Sequence, residues 1–540
     1  MPVTPTYPGI YIEELPSSAR TITAAPTSIA VFVGYTHPFK TRAFKQAIQI
    51  FNFSEYEREF GGLYTSNYFE SNVAYAVNQF FLNGGSIAYV VGIPSQYYDT
   101  ANDNVLTVSD SPADPFFPSI STPRPKVAVG PLLFRAIEPI GPTEMRITIN
   151  NLKNDPADTA DITITYGSKV EVFRAVKIAG DPNAVDFIDK RLNGVSSLVT
   201  VQPASGANYT PPILEANQLP FIAPLPVSPF KAFFSGDFTD VFQPDSSLDK
   251  VSIFNLLVIP GVADNTVWSA ALTFCERKQA FLILDPPGQA VADRTSVPSG
   301  GSDDDFLMGN LMTKTSSPIP KSTNGAIYFP YLKSTNPLTG NPIELPPSGF
   351  VAGIYARTDL NRGVWKAPAG LETTLLNTTG VVESGRMTDQ RQGTLNPIGV
   401  NCLRSFPGAG TVVYGARTLV GSDTNISFQQ WKYVPVRRIA LFIEQTLIRN
   451  LGWVVFEPND EPLWAAIRLS IEGFMLSLFS QGALQGSTPS QAFQVKCDKS
   501  TTTQTDIDLG KVNIVVAFAP LKPAEFVIIK IAQLAGQVQA

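Results

Sequence analysis

Few side chains in this sequence are of the types that catalysis uses. There is a single histidine, His37, followed at once by Pro38. That excludes multi-histidine metal sites and leaves one candidate for Ser–His or Cys–His machinery. The three cysteines, Cys275, Cys402 and Cys497, are far apart and odd in number. A disulfide framework or a CxxC metal site is therefore not expected. Cys402 and Cys497 lie in apolar surroundings and read as packing. Asp285 closes the run FLILD, where open α/β sheets often keep a functional carboxylate. The preferred reading is a strand-end cap before Pro286 and Pro287. Asp303, Asp304 and Asp305 could face a cation, but consecutive carboxylates point in different directions, so a solvated loop is preferred. Gly408-Ala409-Gly410 precedes a strand instead of following one, which argues against a dinucleotide turn, and no GxxxxGKS or GxxxxGKT occurs. Arg437 and Arg438 either meet an acidic partner or lie at a helix start. These residues do not form the constellation that an enzyme needs. The expectation is no catalysis, no cofactor and no metal.

The elements that would position these residues read as follows. Pro2, Pro5, Pro8 and Pro16 forbid a helix at the start. Between them YPGIYIEE alternates, with Ile10 and Ile12 on one face and Tyr11 and Glu13 on the other. This is a short strand with no hairpin partner beside it. Residues 28–35 and 87–93 read as buried strands. A short helix capped by Ser54 and a longer one over 68–82 lie between them. Residues 145–150, 161–166 and 169–173 alternate cleanly, and Gly167-Ser168 between two of them signals a type II′ hairpin. They predict an antiparallel β domain with one wet face. The α/β pattern resumes with IFNLLVIPG, a helix over 265–278 and FLILDPPG. GAIYFPYLK reads as irregular, and ELPPSGFVAGIYARTDLNRGVWKAPAG as a long apolar loop.

Toward the end, GTVVYGARTL reads as a strand. RRIALFIEQTLIRNL puts Ile439, Phe442, Ile443, Leu447 and Leu451 on one helical stripe. A second helix, opened by NDEP, buries Leu463, Ile467, Ile471, Phe474 and Leu478, and Pro462 suits its first turn. AFQVKCD is a strand. VNIVVAF (512–518) and EFVIIKIA (525–532) are strands apolar on both faces, joined by PLKP. Strands of this kind at the chain's ends are an edge liability unless the edges are used.

At 540 residues, about three or four domains of ~150 residues are expected. Charged residues are only 16%, against a usual ~25%. Aromatics reach 11%, with 35 Phe. Two readings stay open: a surface largely covered by partners, or a large, well-packed monomer. The net charge of −6 gives no pull toward nucleic acid or acidic membranes. The N-terminal residues lack the basic flank and apolar core of a signal peptide, and no unbroken apolar run reaches ~18 residues. Synthesis in the cytoplasm, solubility and no membrane insertion are the expectation.

PGIYIEE, NLLVIPGV with FLILDPP, GAIYFPY, PPSGFVAGIYARTDLNRGVWKAPAG, GARTL, RRIALFIEQ, FEPND with PLW, and PAEFVIIKI together resemble the tail sheath proteins of contractile phage tails and related contractile injection systems. The matches run in family order from residue 8 to about residue 533. The SGFVAGIYARTDLNRGVWKAPAG stretch and the terminal strands are the most specific.

The resemblance implies a structural subunit, polymerised as stacked hexameric rings around an inner tube protein, with baseplate and terminal cap proteins as further partners. It implies an α/β and α+β multidomain fold: two α/β core domains, an inserted antiparallel β domain, and extended terminal strand arms. On this basis residues 1–22 are an N-terminal linking arm. Residues 23–100 with 246–375 are an α/β sheath domain, and 101–245 an outward-facing insert. Residues 376–510 are an inner α/β domain and 511–540 a C-terminal arm. The arms would add strands to neighbouring subunits through Ile10, Tyr11, Ile12, Glu13, Val512, Ile514, Val516, Phe518, Phe526 and Ile528. Competing readings are an α/β hydrolase-like enzyme with a β insertion, and a static capsid-type protein.

Overall fold

The computed structural model describes residues 20–37, 40–63, 72–94, 98–99, 104–105, 126–130, 132–136, 145–151, 159–166, 169–178, 185–193, 195–203, 216–221, 235–286, 319–338, 340–382 and 387–530. The fold is mixed α/β with several sheets. The chain divides into two compact units. The larger comprises Ser28–Arg357 and Pro368–Gln429, and the smaller Met1–Thr27, Thr358–Ala367 and Gln430–Ala540.

The larger unit is built on an eight-stranded sheet. Its elements are β1 (Ala30–Tyr35), β2 (Ala47–Ile50), α1 (Phe53–Phe60), α2 (Val73–Leu82), β3 (Ala88–Ile93), β4 (Leu256–Val258), α3 (Asn265–Lys278), β5 (Phe281–Leu284), β6 (Gly325–Phe329), α4 (Ser348–Arg362, whose residues from Thr358 onward count with the smaller unit), β7 (Val400–Phe406) and β8 (Gly410–Val413). The strand order is β2-β3-β1-β4-β5-β6-β7-β8. The strands from β3 to β7 run parallel, and β2 and β8 pair antiparallel at the two edges. Every residue of β1, β4, β5 and β6 is buried. Burial on both faces is why these runs are apolar throughout, with no alternation. The N-cap of α1 is Asn52, whose side chain accepts from the Glu55 N–H, and not Ser54, which lies inside the helix. The expected start of α2, residues 68–71, lies outside the described residues.

Two expectations fail in this unit. GAIYFPYLK is not irregular: Gly325–Phe329 is β6, paired parallel with β5 and β7. Gly325 is a packing residue, since a Cβ there would come within 2.9 Å of Leu272 Cδ2 and 3.0 Å of Leu419 Cδ1. The apolar "loop" is α4. Gly349 and Gly353 are contact points in it. A Cβ on Gly349 would meet the Ala76 backbone at 2.5 Å, and one on Gly353 would meet Asn83 Cβ at 2.5 Å. Each glycine lowers helix propensity by ~1 kcal/mol. Close approach to α2 offsets that loss, a gain that single-residue propensity does not register.

Also in this unit, the region between β3 and β4 carries two antiparallel sheets. One is four-stranded: Lys169–Lys177, Thr159–Tyr166, Met145–Asn151, Ala216–Pro220. The other is three-stranded: Val199–Pro203, Leu132–Ala136, Lys126–Val129. Phe134, Ile147, Ile149, Ile162, Ile164 and Val201 contribute from both sheets to one apolar core. Val170 and Val172 are exposed on the other side of the edge strand, so the sheet has a wet face. The hairpin tip at Gly167-Ser168 lies outside the described residues.

The smaller unit holds α5 (Val434–Asn450), α6 (Glu461–Ser480), β9 (Phe493–Lys496) and β10 (Val515–Phe518). Its core takes Ile439, Phe442 and Ile443 from α5 and Leu463, Ile467, Ile471, Phe474 and Leu478 from α6, with Leu447 and Leu451 packed at its margin. Asp460 caps α6, accepting from the Leu463 N–H. The helix holds no unbroken apolar run of ~18 residues, yet by length and composition it is apolar enough to cross a membrane, with a mean hydropathy of 1.3 over its most apolar stretch. Glu461, Arg468 and Glu472 interrupt the run without lowering the average far. Its apolar face is core here. The boundary expected at residue 376 falls instead near residue 430. Strands β7 and β8 belong to the main sheet, because Val400–Cys402 pair with β6 in parallel register.

One charge pair is buried in the smaller unit. Arg438 donates to both carboxylate oxygens of Asp359, at 2.8 and 2.6 Å, and to the carbonyl of Thr27 at 2.9 Å. Both side chains are 3% exposed. Removing one member strands the other's charge away from water, at ~3–5 kcal/mol. Asp359→Ala should therefore lower the unfolding free energy in a denaturant melt by about that much. The double replacement Asp359→Leu with Arg438→Met should recover most of it.

Candidate assembly surface

The end of the chain carries an apolar surface that its own described residues leave in water. Strand β10 pairs antiparallel with β9, from Phe493↔Phe518 to Lys496↔Val515. Among the described residues this sheet has two strands. A two-stranded ribbon is marginal by itself. It is held by one face: Phe493, Val495, Val512, Ile514, Val516 and Phe518 pack on the core beneath α5 and α6. The side chains of Val512, Ile514, Val516 and Phe518, expected to seat in a neighbour, are thus engaged within their own chain.

Beyond β10 the expected strand over 525–532 does not form among the described residues, which reach Lys530. Glu525 is tied down, its Oε2 accepting from the Tyr433 hydroxyl at 3.1 Å. The next four side chains are not. Phe526, Val527, Ile528 and Ile529 are 70, 82, 81 and 80% exposed. Successive residues of an extended chain face opposite ways, so the segment shows apolar groups on both sides. Of the expected arm residues, Phe526 and Ile528 are exposed among the described residues.

The N-terminal residues Ile10, Tyr11, Ile12 and Glu13 lie outside the described residues. The segment that follows them is strapped along α5 and α6. The Arg20 N–H donates to Ser470 Oγ at 3.2 Å, and its guanidinium lies 4.7 Å over the Trp453 ring. Asn450 Oδ1 accepts from the Thr23 N–H at 2.9 Å, while Asn450 Nδ2 donates to the Thr23 carbonyl at 2.8 Å. Thr446 Oγ1 accepts from the Ala25 N–H at 3.1 Å. Helix side chains thus supply the pairs that a neighbouring strand would supply. Sequence reading missed this strap, because a polar side chain on a helix carries no mark of what it faces.

Residues 247–419 match the phage tail sheath protein central domain, and residues 427–533 the phage tail sheath C-terminal domain. Together the two span just over half of the chain. The chain belongs to the phage tail sheath family. It is 23% identical over 261 residues to the tail sheath protein of Vibrio phage KVP40, covering 47% of this chain and 36% of that one. To a putative prophage major tail sheath protein of Pseudomonas aeruginosa it is 24% identical over 283 residues, covering 52% and 65%. The chain therefore matches from about a third to two thirds of these relatives' lengths. Its fold is similar to that of a chain in the anti-feeding prophage helical sheath in the contracted state, with a TM-score of 0.56 and 24% identity over 98% of this chain and 100% of that one. It is also similar to a chain in the contracted sheath complex of the extracellular contractile injection system PVC, with a TM-score of 0.55, 23% identity and 98% coverage of both.

His37 is buried, and its carbonyl accepts from the Thr41 N–H and hydroxyl at 3.2 and 2.6 Å. All three cysteines are buried and unbridged. Burial pushes the Cys497 thiol up to about 11 and Cys275 well above its ordinary value. Neither is a thiolate at neutral pH. Gly408 and Gly410, with φ of 81° and 72°, make the turn of the β7–β8 hairpin. Asp303–305 lie outside the described residues. Among those described, no cluster of His, Cys, Asp and Glu could hold a metal ion. Arg438 finds its acid in its own chain, and Arg437 reaches Glu444 at 3.3 Å and stacks 5.0 Å over Trp431.

Asp285 is a strand-end cap with a wider reach than expected. It accepts from the Gly261 N–H at 2.9 Å, the Ser348 N–H at 2.8 Å and the Ser348 hydroxyl at 2.5 Å. It therefore ties the end of β5 to the first turn of α4. Burial pushes its pKa up to about 6, against the pull of those three donors. Because the folded value lies above the usual ~3.9, the group's stabilising contribution is complete below about pH 4 and is lost as pH rises through 6. Wild type should gain stability relative to Asp285→Asn on going from pH 7.5 to 4.5, by no more than about 3 kcal/mol. Paired denaturant melts at the two pH values check this.

Proposed function

We propose that this chain is the structural subunit of a contractile sheath, and that it polymerises by donating extended segments to neighbouring copies. The observation that carries this reading is the run Phe526–Ile529, four apolar side chains in water immediately after an anchored residue. Its acceptor would be the open edge of the β9–β10 sheet in another copy, through strand addition. The strand bearing Ile10, Tyr11, Ile12 and Glu13 would make a second link of the same kind. In both, backbone pairing supplies register and apolar burial supplies affinity.

In this reading copies form stacked hexameric rings around an inner tube protein, with baseplate and cap proteins at the ends. Contraction switches between two packings of the same folded units while the links hold them together. The work is stored at assembly, so the chain needs neither catalysis nor a nucleotide. It would be made in the cytoplasm of the producing bacterium and function in a phage tail or an extracellular contractile particle. Nucleic acid and membrane insertion have no part in it. The region between β3 and β4 would face outward, as an insert in the core.

Negative-stain electron microscopy of the purified chain tests the links. Wild type should form hollow helical tubes or six-fold rings. Deletion of residues 1–20, or Phe526→Asp with Ile528→Asp, should leave a folded, soluble chain that does not polymerise. Two buried apolar side chains at ~1.5–3 kcal/mol each correspond to more than about a hundredfold in association. Wild-type-like tubes from either variant would refute the corresponding arm. Ile514 and Val516 are unsuited to this test, since they pack on their own core and their loss would destabilise the fold.

A further inference from the structure

A donated strand needs an acceptor edge, and the larger unit keeps several of its sheet edges occupied. The edge strand Val199–Pro203 of the three-stranded sheet shows this most fully. Asn193 Oδ1 accepts from the Val201 N–H at 2.8 Å, and Asn193 Nδ2 donates to the Val201 carbonyl at 2.9 Å. One side-chain amide thus fills both groups that a further strand would pair with. Ser196 Oγ accepts from the Val199 N–H at 3.0 Å and donates to Glu171 Oε2 at 2.6 Å. Glu171 lies on Lys169–Lys177, an edge strand of the four-stranded sheet, and its Oε1 accepts from the Ser197 N–H and hydroxyl at 2.9 and 2.6 Å. Both edges of that sheet are also bulged. The register slips between Phe173 and Val176 at one and between Ala216 and Leu219 at the other. At each slip a residue other than glycine takes a positive φ, Ala175 at 49° and Gln218 at 47°, which is uncommon outside glycine. Each turns its N–H back to a side chain of the neighbouring strand: Ala175 to Asp161 Oδ1 at 2.8 Å, Gln218 to Thr148 Oγ1 at 3.2 Å. Such bulges twist an edge away from regular pairing. In the main sheet, Ser247 Oγ accepts from the Ala47 N–H of β2 at 2.9 Å. Along β8, the Gly370 and Leu375 N–H groups donate to the Val413 and Thr411 carbonyls at 2.9 and 2.7 Å. The β9–β10 sheet differs. Its register runs without a slip from Phe493↔Phe518 to Lys496↔Val515, and among the described residues no side chain bonds to the backbone between Ile514 and Phe518.

We propose that Asn193 and Ser196 are specificity residues of assembly: they hold the edge at Val199–Pro203 shut, so that a donated strand pairs with the β9–β10 sheet instead. This rests on the strand-donation reading above. Backbone pairing is chemically the same at every open edge. The exposed run Phe526–Ile529 is apolar throughout and carries no charge that would choose between edges. Discrimination then comes from closing the wrong acceptor. A strand arriving at Val199–Pro203 would have to displace three hydrogen bonds that are already made. Each is worth roughly two- to tenfold in affinity, so together they disfavour that edge by at least about tenfold.

The test uses the full-length chain, below its assembly onset, and a synthetic peptide of residues 521–532 bearing a photo-reactive group. Cross-linked sites are mapped by mass spectrometry. Wild type should be labelled on residues 493–496 and 512–518 and not on 199–203. Asn193→Ala with Ser196→Ala should raise labelling of 199–203 at least about tenfold at the same peptide concentration, and the milder Asn193→Ser at least about twofold. Labelling of the β9–β10 sheet should not change, and far-UV circular dichroism should match wild type at the labelling temperature. Labelling of 199–203 in wild type overturns the exclusion and leaves strand donation intact. So does labelling confined to β9–β10 in whichever of the two variants is folded. A wild-type chain labelled at neither sheet at any peptide concentration overturns strand donation, and the exclusion with it.

Discussion

Ordering one residue of extended backbone costs ~1–2 kcal/mol, and a net hydrogen bond returns only ~0.5–1.5 kcal/mol. An extended segment is therefore held in place by what its side chains bury. Within this chain the rule separates adjoining stretches of similar composition. Val512 to Phe518 alternate onto the core beneath α5 and α6 and are ordered as β10. Phe526 to Ile529 are at least as apolar, but the described fold offers them no surface, and they form no strand. The N-terminal strap buries little beyond Ile22 and Ala25 and is held also by polar side chains: Thr446, Asn450 and Ser470 pair with backbone groups of Arg20, Thr23 and Ala25. The proposed assembly follows from the same arithmetic, since a neighbouring copy would supply the missing surface.

Inside the larger unit, the limiting factor is how closely elements can approach. Gly349 and Gly353 let α4 lie against α2 at distances that a methyl group would prevent, and Gly325 does the same for β6 beneath Leu272 and Leu419. Asp285 then ties α4 to the end of β5 with three accepted hydrogen bonds. A buried carboxylate so engaged costs stability in its charged form and fixes one register of strand and helix in return. Arg438 and Asp359 do comparable work in the smaller unit, where a bidentate pair is satisfied further by the Thr27 carbonyl. In both cases a residue with catalytic chemistry acts as a structural joint.

The sequence by itself determined the periodic elements. Apolar stripes on α5 and α6, buried runs at β1, β3, β4 and β5, and alternation over residues 145–173 could be read directly, because each depends on neighbours three, four or two residues away. It also determined that the chain's ends carry strands apolar on both faces, and its motifs pointed to the sheath family. Tertiary structure alone decided the rest. It made GAIYF a central strand and SGFVAGIYARTDLNR a helix, because the compensation for glycine comes from residues far off in the chain, Leu272 and Leu419 for Gly325 and Ala76 and Asn83 for Gly349 and Gly353. It assigned β7 and β8 to the main sheet, since pairing with β6 has no local signature. It separated Val512, Ile514, Val516 and Phe518, which pack partly buried on their own core, from Phe526–Ile529, which stay exposed. Composition is nearly the same in the two segments; the difference lies in whether a complementary surface exists within reach, and that is a property of the folded chain.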